Sequence, residues 1–309
     1  MLDRKIGISV VIPLYNKEGF IERSVSSVLS QSVRPEEIIV VDDGSTDNSC
    51  ERLTRWLAEN NHQYSVRLIR SENKGVSVAR NIGLSNCRYD YVAFLDADDV
   101  WQDRFLEELR LLIFQHPDCV VFASAHSIQK KGVISEHLAP GSEPVRSYTG
   151  EKFFEAMARY SLVNSSKIIV RKDQLERIGG FPPGIKYGED LFVWIKLMQY
   201  SSLCFINKSL VVINQEYDEG RAARNKHTLY PLVYFSVNQD EISNGLRGYL
   251  KSLFLKSLLV KLCGSNYGAA LSTIRAYNKI NGYRTVSYYF LLLFPSFVFR
   301  QIYKILKAI

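Results

Sequence analysis

The sequence predicts an α/β protein: a doubly wound, mostly parallel sheet flanked by helices, followed by an all-helical C-terminal extension. Three observations carry this expectation. Through residue 100, apolar runs of strand length alternate with helix-patterned segments across short connections, and apolar strands joined by helices belong to parallel sheets covered on both faces. Acidic and amide residues fall where those runs end, the edge at which such sheets bind ligands. Beyond about residue 228 only helical patterning remains.

Taken in order, residues 8–14 are a continuous apolar run, and residues 18–30 follow with helical spacing. Residues 38–41 make a second strand that ends in Asp42-Asp43-Gly44, after which Asp47 or Ser49 can cap a helix. Residues 66–69 are a third strand, and a helix starts at Val76 just beyond Asn73-Lys74-Gly75. Residues 91–95 are a fourth, ending in Asp96-Ala97-Asp98-Asp99. Asp42, Asp43, Asn73, Asp96 and Asp98 should therefore converge on one crevice. From residue 101 the pattern is mixed: a helix over 103–115, strands near 120–123 and 167–170, a helix from Glu189, and strands near 203–205 and 210–213. A catalytic domain is expected over residues 1–220, with a nucleotide-binding half (1–100) and an acceptor-side half (101–220). A basic helical region (221–309) follows, with a soft boundary at 219–225.

Composition bounds the class. Of 309 residues 46% are hydrophobic and 23% charged, a globular balance that excludes disorder. Cys50, Cys87, Cys119, Cys204 and Cys263 form no Cys-x-x-Cys pair and read as reduced, mostly buried thiols. The opening MLDRKIGISVVIPLYN resembles a leader, but Pro13 interrupts its apolar stretch and no small-residue cleavage site follows, so a buried strand is expected. Charge is asymmetric. Ten of the 39 basic residues lie after Glu241, with no acid among them, leaving 29 basic against 32 acidic residues before that point. Such a tail points to an anionic partner, lipid or nucleic acid.

Two carboxylates at i and i+2 of a strand end can reach toward one cation, and oxygen ligands of this kind suit Mg²⁺ or Mn²⁺ held together with substrate phosphates. Asp96 and Asp98 have that spacing. Val100 and Trp101 rule out an EF-hand, and no dinucleotide fingerprint, P-loop or zinc set occurs. Capping of a helix starting near Trp101 is the alternative, and for Asp99 alone it stands level with a functional role.

At this point five motifs carry a resemblance. Val10-Val11-Ile12-Pro13-Leu14-Tyr15-Asn16, Ser27-Val28-Leu29-Ser30-Gln31-Ser32 and Ile39-Val40-Val41-Asp42-Asp43-Gly44-Ser45-Thr46-Asp47 resemble the opening of family-two glycosyltransferases. Asn73-Lys74-Gly75 with Ala79-Arg80-Asn81, and the Asp-x-Asp of Phe94-Leu95-Asp96-Ala97-Asp98-Asp99, resemble the same family, over about residues 6–200. The resemblance implies the GT-A fold, a nucleotide-diphosphate sugar donor with UDP favoured, and Mn²⁺ or Mg²⁺. It implies a donor site of Pro13, Tyr15, Asp43, Asn73, Arg80, Asp96 and Ala97. Tyr15 would stack near the base, Asp43 accept its hydrogen bond, Asp96 lie near ribose and diphosphate, and Asp98 bind the metal. Strand-end packing is the alternative for Tyr15, and a solvated helix face for Arg80. A turn is the alternative for Asp42 and Asp43.

The family also carries a Glu-Asp pair on the acceptor side, matched by Glu189-Asp190 ahead of an apolar helix. An inverting transfer needs a base for the acceptor hydroxyl, and Asp190 is the candidate, with Glu189 orienting the site. Favourable charge at a helix start is compatible with both roles. The Gln-x-x-Arg-Trp signature of processive synthases is absent, since Arg55-Trp56 comes too early and Arg52 replaces Gln; nor is there a span of about 20 apolar residues. Addition of one sugar is therefore expected. His227, shortly after Arg221 and Arg224, reads as a structural or exposed side chain, with an approach to the diphosphate or metal as the alternative.

In the tail, residues 286–299 are uncharged and mostly apolar but broken by Pro295. Arg300, Lys304 and Lys307 fall on one helical face opposite Val298, Ile302, Ile305, Leu306 and Ile309, the pattern of a helix lying in a membrane interface. Docking on the protein is the alternative. Anionic lipid attracts about 1 kcal/mol per basic residue, and no nucleic-acid motif is present. The expected partners are a nucleotide-sugar, a saccharide or lipid-linked saccharide acceptor and an anionic membrane at the cytoplasmic face, with no nucleic acid. A sugar nucleotidylyltransferase, which needs a Gly-rich N-terminal loop, and an inactive scaffold, which needs no acids, are the rival functions.

Overall fold

A computed structural model describes residues 6–62, 65–216, 226–281 and 286–308, with only the backbone for 286 and 304–308. The expected boundary at 219–225, with Arg221 and Arg224, lies outside the described residues. The chain divides into two compact units, one of residues 1–150, 161–184 and 193–217, the other of 151–160, 185–192 and 218–309.

The first unit opens as expected. β1 (Ile8–Leu14) and β2 (Glu37–Asp42) are buried along their whole length, which is why they carry Val and Ile without alternation. Between them α1 (Ile21–Leu29) buries Ile21, Val25, Val28 and Leu29, one face of a helix. α2 (Ser49–Glu59), β3 (Arg67–Arg70), α3 (Val76–Asn86) and β4 (Tyr91–Phe94) follow. These strands lie in the order β3-β2-β1-β4, all parallel.

Beyond Asp99 come β5 (Val100–Trp101), α4 (Phe105–Gln115), β6 (Val121–Lys130), β7 (Val133–His137) and β8 (Val145–Thr149). After α5 (Gly150–Arg159) a 3-10 turn (Ser165–Lys167) leads into β9 (Ile168–Arg171) and α6 (Lys172–Arg177). α7 (Glu189–Met198) and β10 (Ser202–Asn214) complete the series. β9 runs antiparallel to both β4 and β6, joining the parallel half to the rest of the sheet, and β10 pairs parallel with β6. The two strands expected near 203–205 and 210–213 are one strand, β10, whose register with β6 shifts twice between Ile206 and Val212. Such irregularities bend a strand without ending it. The four buried cysteines and the partly exposed Cys263 are all free thiols.

The second unit contains residues 151–159 of α5, the first turn of α7, α8 (Tyr230–Phe235), α9 (Asn244–Cys263), α10 (Tyr267–Ile280), a 3-10 segment (Val286–Leu293) and α11 (Ser296–Ala308). Ser243 caps α9 by accepting from the Leu246 amide at 3.3 Å. Leu246, Leu250, Phe254, Leu258 and Leu262 line its buried face, and Phe254 stacks on Tyr277 of α10 at 4.0 Å. α9 is a packing helix: Arg247 donates to the Ile280 carbonyl, Lys256 to that of Ala158, and Lys261 is buried against Ser257. Among the described residues no helix is long and apolar enough to cross a membrane.

Candidate functional site

The carboxyl ends of three adjacent parallel strands, β2, β1 and β4, supply the first unit's cluster. At the end of β1 Tyr15 is exposed, while Pro13 is buried opposite Val41. Asn16, at φ 49°, accepts from the Thr46 and Asp47 amides and so ties this end to the loop after β2. Lys17 comes next, and its ammonium lies 2.6 Å from Asp98 Oδ2.

Asp43 is 2% exposed, and its two oxygens accept from the amides of Lys74 and Gly75 at 2.9 and 2.8 Å. It fastens the Asn73-Lys74-Gly75 loop, leaving Asn73 exposed. Asp42 Oδ1 accepts from the Ser45 amide at 3.0 Å. Gly44 has φ 70°, and a Cβ there would stand 2.8 Å from the Asn73 nitrogen, so the loop closes over a residue that must be glycine.

That loop starts α3, which carries Arg80. Arg80 is not on a solvated face: it is 3% exposed, donates to Asp96 Oδ1 at 2.8 Å, and lies over the Phe181 ring at 5.1 Å. The pair aims Asp96 while leaving its side chain 39% exposed. Ala97 is buried. Asp99 does not cap a helix, since α4 begins only at Phe105. It is 4% exposed, with Oδ2 accepting from Ser166 Oγ and Oδ1 from the Asn214 amide. Burial, with the charges of Asp96 and Asp98 beside it, holds its carboxyl well above the usual carboxylate range.

Ser166 belongs to no motif, yet its hydroxyl also accepts from the Asp96 amide at 3.1 Å, and its carbonyl accepts from the Trp101 indole at 2.7 Å. One residue of the 165–167 turn thus braces the whole Asp96–Trp101 bend. Lys17 is a second addition to the expected set; its place two residues beyond Tyr15, at the same strand end, is the signal that could have found it.

Do these residues fit a divalent ion? Among the described residues no group of three His, Cys, Asp or Glu side chains is arranged to hold a metal ion. Asp98 is one quarter exposed and already holds a cation, the Lys17 ammonium. One carboxylate of this kind fits Mg²⁺ or Mn²⁺, which take one or two carboxylates and complete their shell with phosphate and water.

In the second unit Gly188, at φ 84°, precedes Glu189 and Asp190. A Cβ on Gly188 would stand 3.0 Å from Leu229 Cδ2. Asp190 Oδ1 accepts from the Leu191 amide at 2.7 Å, and both acids sit half-buried in the first turn of α7. Burial, and then the charge of Asp190, push the Tyr249 phenol upward. Lys261 stands 5.6 Å from the Tyr187 ring. His227 is exposed.

A mixed sheet with a parallel half flanked by helices, followed by C-terminal helices, is the GT-A fold. The family model of glycosyl transferase family 2 matches residues 9–175, more than half of the chain, and the chain belongs to that family. It is 30% identical over 211 residues to the glycosyltransferase GlyA of Streptococcus pneumoniae, covering 66% of this chain but only 30% of GlyA. It is 29% identical over 192 residues, 62% of this chain and 72% of the relative, to TuaG of Bacillus subtilis, whose name refers to teichuronic acid biosynthesis. The fold matches residues 1–349 of S. aureus TarS, crystallised with UDP-GlcNAc, at a TM-score of 0.66 and 18% identity, covering 91% of this chain and 90% of that one.

Proposed function

We propose that the chain is an inverting, metal-dependent glycosyltransferase. It moves one sugar from a nucleotide-diphosphate sugar, a UDP-sugar, to a hydroxyl of a lipid-linked saccharide in cell-surface polysaccharide synthesis. The observation that carries this reading is the Arg80–Asp96 and Lys17–Asp98 arrangement at one parallel strand edge, in a chain of this family. UDP-GlcNAc bound to TarS and the teichuronic acid in TuaG's name support the donor and pathway class.

In this reading Tyr15 offers its exposed ring to the base. Asp43 keeps the Asn73–Gly75 loop in place and retains lone pairs for the base. Asp96, aimed by Arg80, accepts from the ribose. Asp98 supplies the protein ligand of Mn²⁺ or Mg²⁺, and Lys17 neutralises that carboxylate in the ion's absence. The ion, when bound, offsets charge on the leaving diphosphate. Asp190 takes the proton from the acceptor hydroxyl, and Glu189 orients the acceptor. The membrane's inner face is the site of action, its lipid reached through the basic tail.

Titration calorimetry of the full chain with UDP and UDP-GlcNAc, in Mn²⁺ and then in EDTA, tests the donor half. Binding that needs the ion is expected. Binding of neither nucleotide, or equal binding with and without the ion, refutes it.

A further inference from the structure

The tail's apolar residues divide sharply between the protein and solvent. Tyr288 packs edge-on against Phe254 at 4.9 Å, and Phe299 is 4% exposed. Tyr267 OH donates to the Phe294 carbonyl at 3.2 Å. Arg300 donates to the Cys263 carbonyl at the end of α9, and to Ser296 Oγ, both at 3.1 Å. These contacts dock the 3-10 segment and the start of α11 on α9 and α10. Between the docked residues, Phe290 is 64% exposed, Leu293 78%, Phe294 50% and Phe297 64%. Four large apolar side chains within about two helical turns of sequence are left in water by a segment that is otherwise held down. Scattered exposed apolar residues need no explanation, but a clustered set marks an interaction surface.

What covers it is decided by charge. The cluster lies in a stretch, residues 242–309, that has ten basic residues and no acid. Lys251, Arg275 and Lys279 are exposed. A second copy of this chain would set that cationic stretch against itself. A bilayer with anionic lipid offers both an apolar interior and a negative surface. We propose that the corner between the 3-10 segment and α11 is a membrane wedge: Phe290, Leu293, Phe294 and Phe297 enter the acyl region, and the basic residues meet headgroups. This rests on the membrane reading above and changes its mechanism. Arg300 is a fastener of α11 to α9 rather than one of three free cationic contacts, and the apolar corner supplies the attachment that salt does not screen.

The test uses the full chain and vesicles of equimolar phosphatidylcholine and phosphatidylglycerol, with pure phosphatidylcholine for comparison, at low and high salt. Wild type is expected to bind the anionic vesicles and to retain part of that binding at high salt. Phe290→Ser/Phe297→Ser should lose about a hundredfold in that salt-resistant binding, roughly tenfold per aromatic removed from the interface. Tyr200→Ser, which removes an exposed ring of the other unit, should lose none. Phe297→Trp should gain, over wild type, an indole emission that brominated acyl chains quench. An unchanged far-UV spectrum and urea midpoint certify that each variant is folded. Double-variant binding equal to wild type, or an added indole emission that stays unquenched, overturns the wedge while leaving electrostatic attachment in place. Wild type that ignores anionic vesicles at low salt overturns the membrane reading as well. If the double variant instead abolishes self-association in sedimentation and leaves vesicle binding unchanged, the face belongs to a second copy and the proposal falls.

Discussion

Replacing Lys167 by Met should stabilise the protein at neutral pH and destabilise it at high pH. Lys167 is fully buried beside β9; its side-chain nitrogen reaches the Ser161 carbonyl at 2.7 Å and His126 Nδ1 at 3.1 Å. Burial lowers its pKa from the ordinary 10.5 to about 7. Neither of these partners is a carboxylate, and His126 is itself pushed down to about 3 by burial, with Lys167 and the stacked His137 adding to the effect. A folded pKa below the unfolded one means that the unfolded chain binds more protons between the two values, so wild-type stability rises with pH from about 7 to about 10.5. The slope is about 1.4 kcal/mol per pH unit, and the cost of charging at pH 7 is about 4 kcal/mol. Met carries no such cost but forfeits the hydrogen bonds, a pH-independent loss of about 2 kcal/mol. The variant should therefore be more stable by about 2 kcal/mol at about pH 7 and less stable, by under about 1 kcal/mol, at about pH 9.5, the sign changing between the two. Urea unfolding of both proteins at about pH 7, 8 and 9.5 reads this directly, and the difference cancels other groups titrating in that range. A difference that does not vary with pH would show that Lys167 stays charged when folded, and the burial argument would be wrong.

Three further outcomes follow from the site. Asp98→Ala should abolish the Mn²⁺ dependence of UDP binding in calorimetry while moving stability by less than about 1 kcal/mol, because the Lys17–Asp98 pair is partly exposed. Asp190→Asn should leave UDP affinity unchanged and lower turnover by about 10²–10⁴-fold in a UDP-release assay; near-normal turnover would move the base role to another group. Gly44→Val should cost about 1–3 kcal/mol in unfolding experiments and weaken UDP binding, since a left-handed φ and a 2.8 Å approach to the Asn73 nitrogen both oppose a side chain.

The parallel half of the sheet is legible in the sequence because it is built from local signals. Strands buried on both faces cannot alternate, so β1 and β2 stand out as Val/Ile runs, and β2 ends at Asp42, an acid that cannot be buried without partners. The second half is blurred for a physical reason. β5 is two residues long, and β7 is exposed throughout, so neither writes a hydrophobic period into the sequence. The break expected inside β10 comes from Asn207-Lys208, where the register slips and a polar pair leaves the core without ending the strand.

The site divides along the same line. Residues at strand ends can be named from position alone, but the contacts that give them their geometry come from distant sequence. Arg80 reads as well as a solvated helix residue as a donor-site one, because nothing local shows that Phe181 and Asp96 will close over it. Ser166 lies 70 positions from Asp96, and its neighbours Ser165 and Lys167 are equally polar. Only the antiparallel placement of β9 beside β4 brings that turn under the Asp-x-Asp bend. The tail shows the converse failure. Helical spacing puts Arg300 on a free basic face, yet a guanidinium with its fork of donors next to an unsatisfied helix end is drawn to the carbonyl of Cys263. Spacing predicts which residues share a face; it does not predict which of them the fold will use.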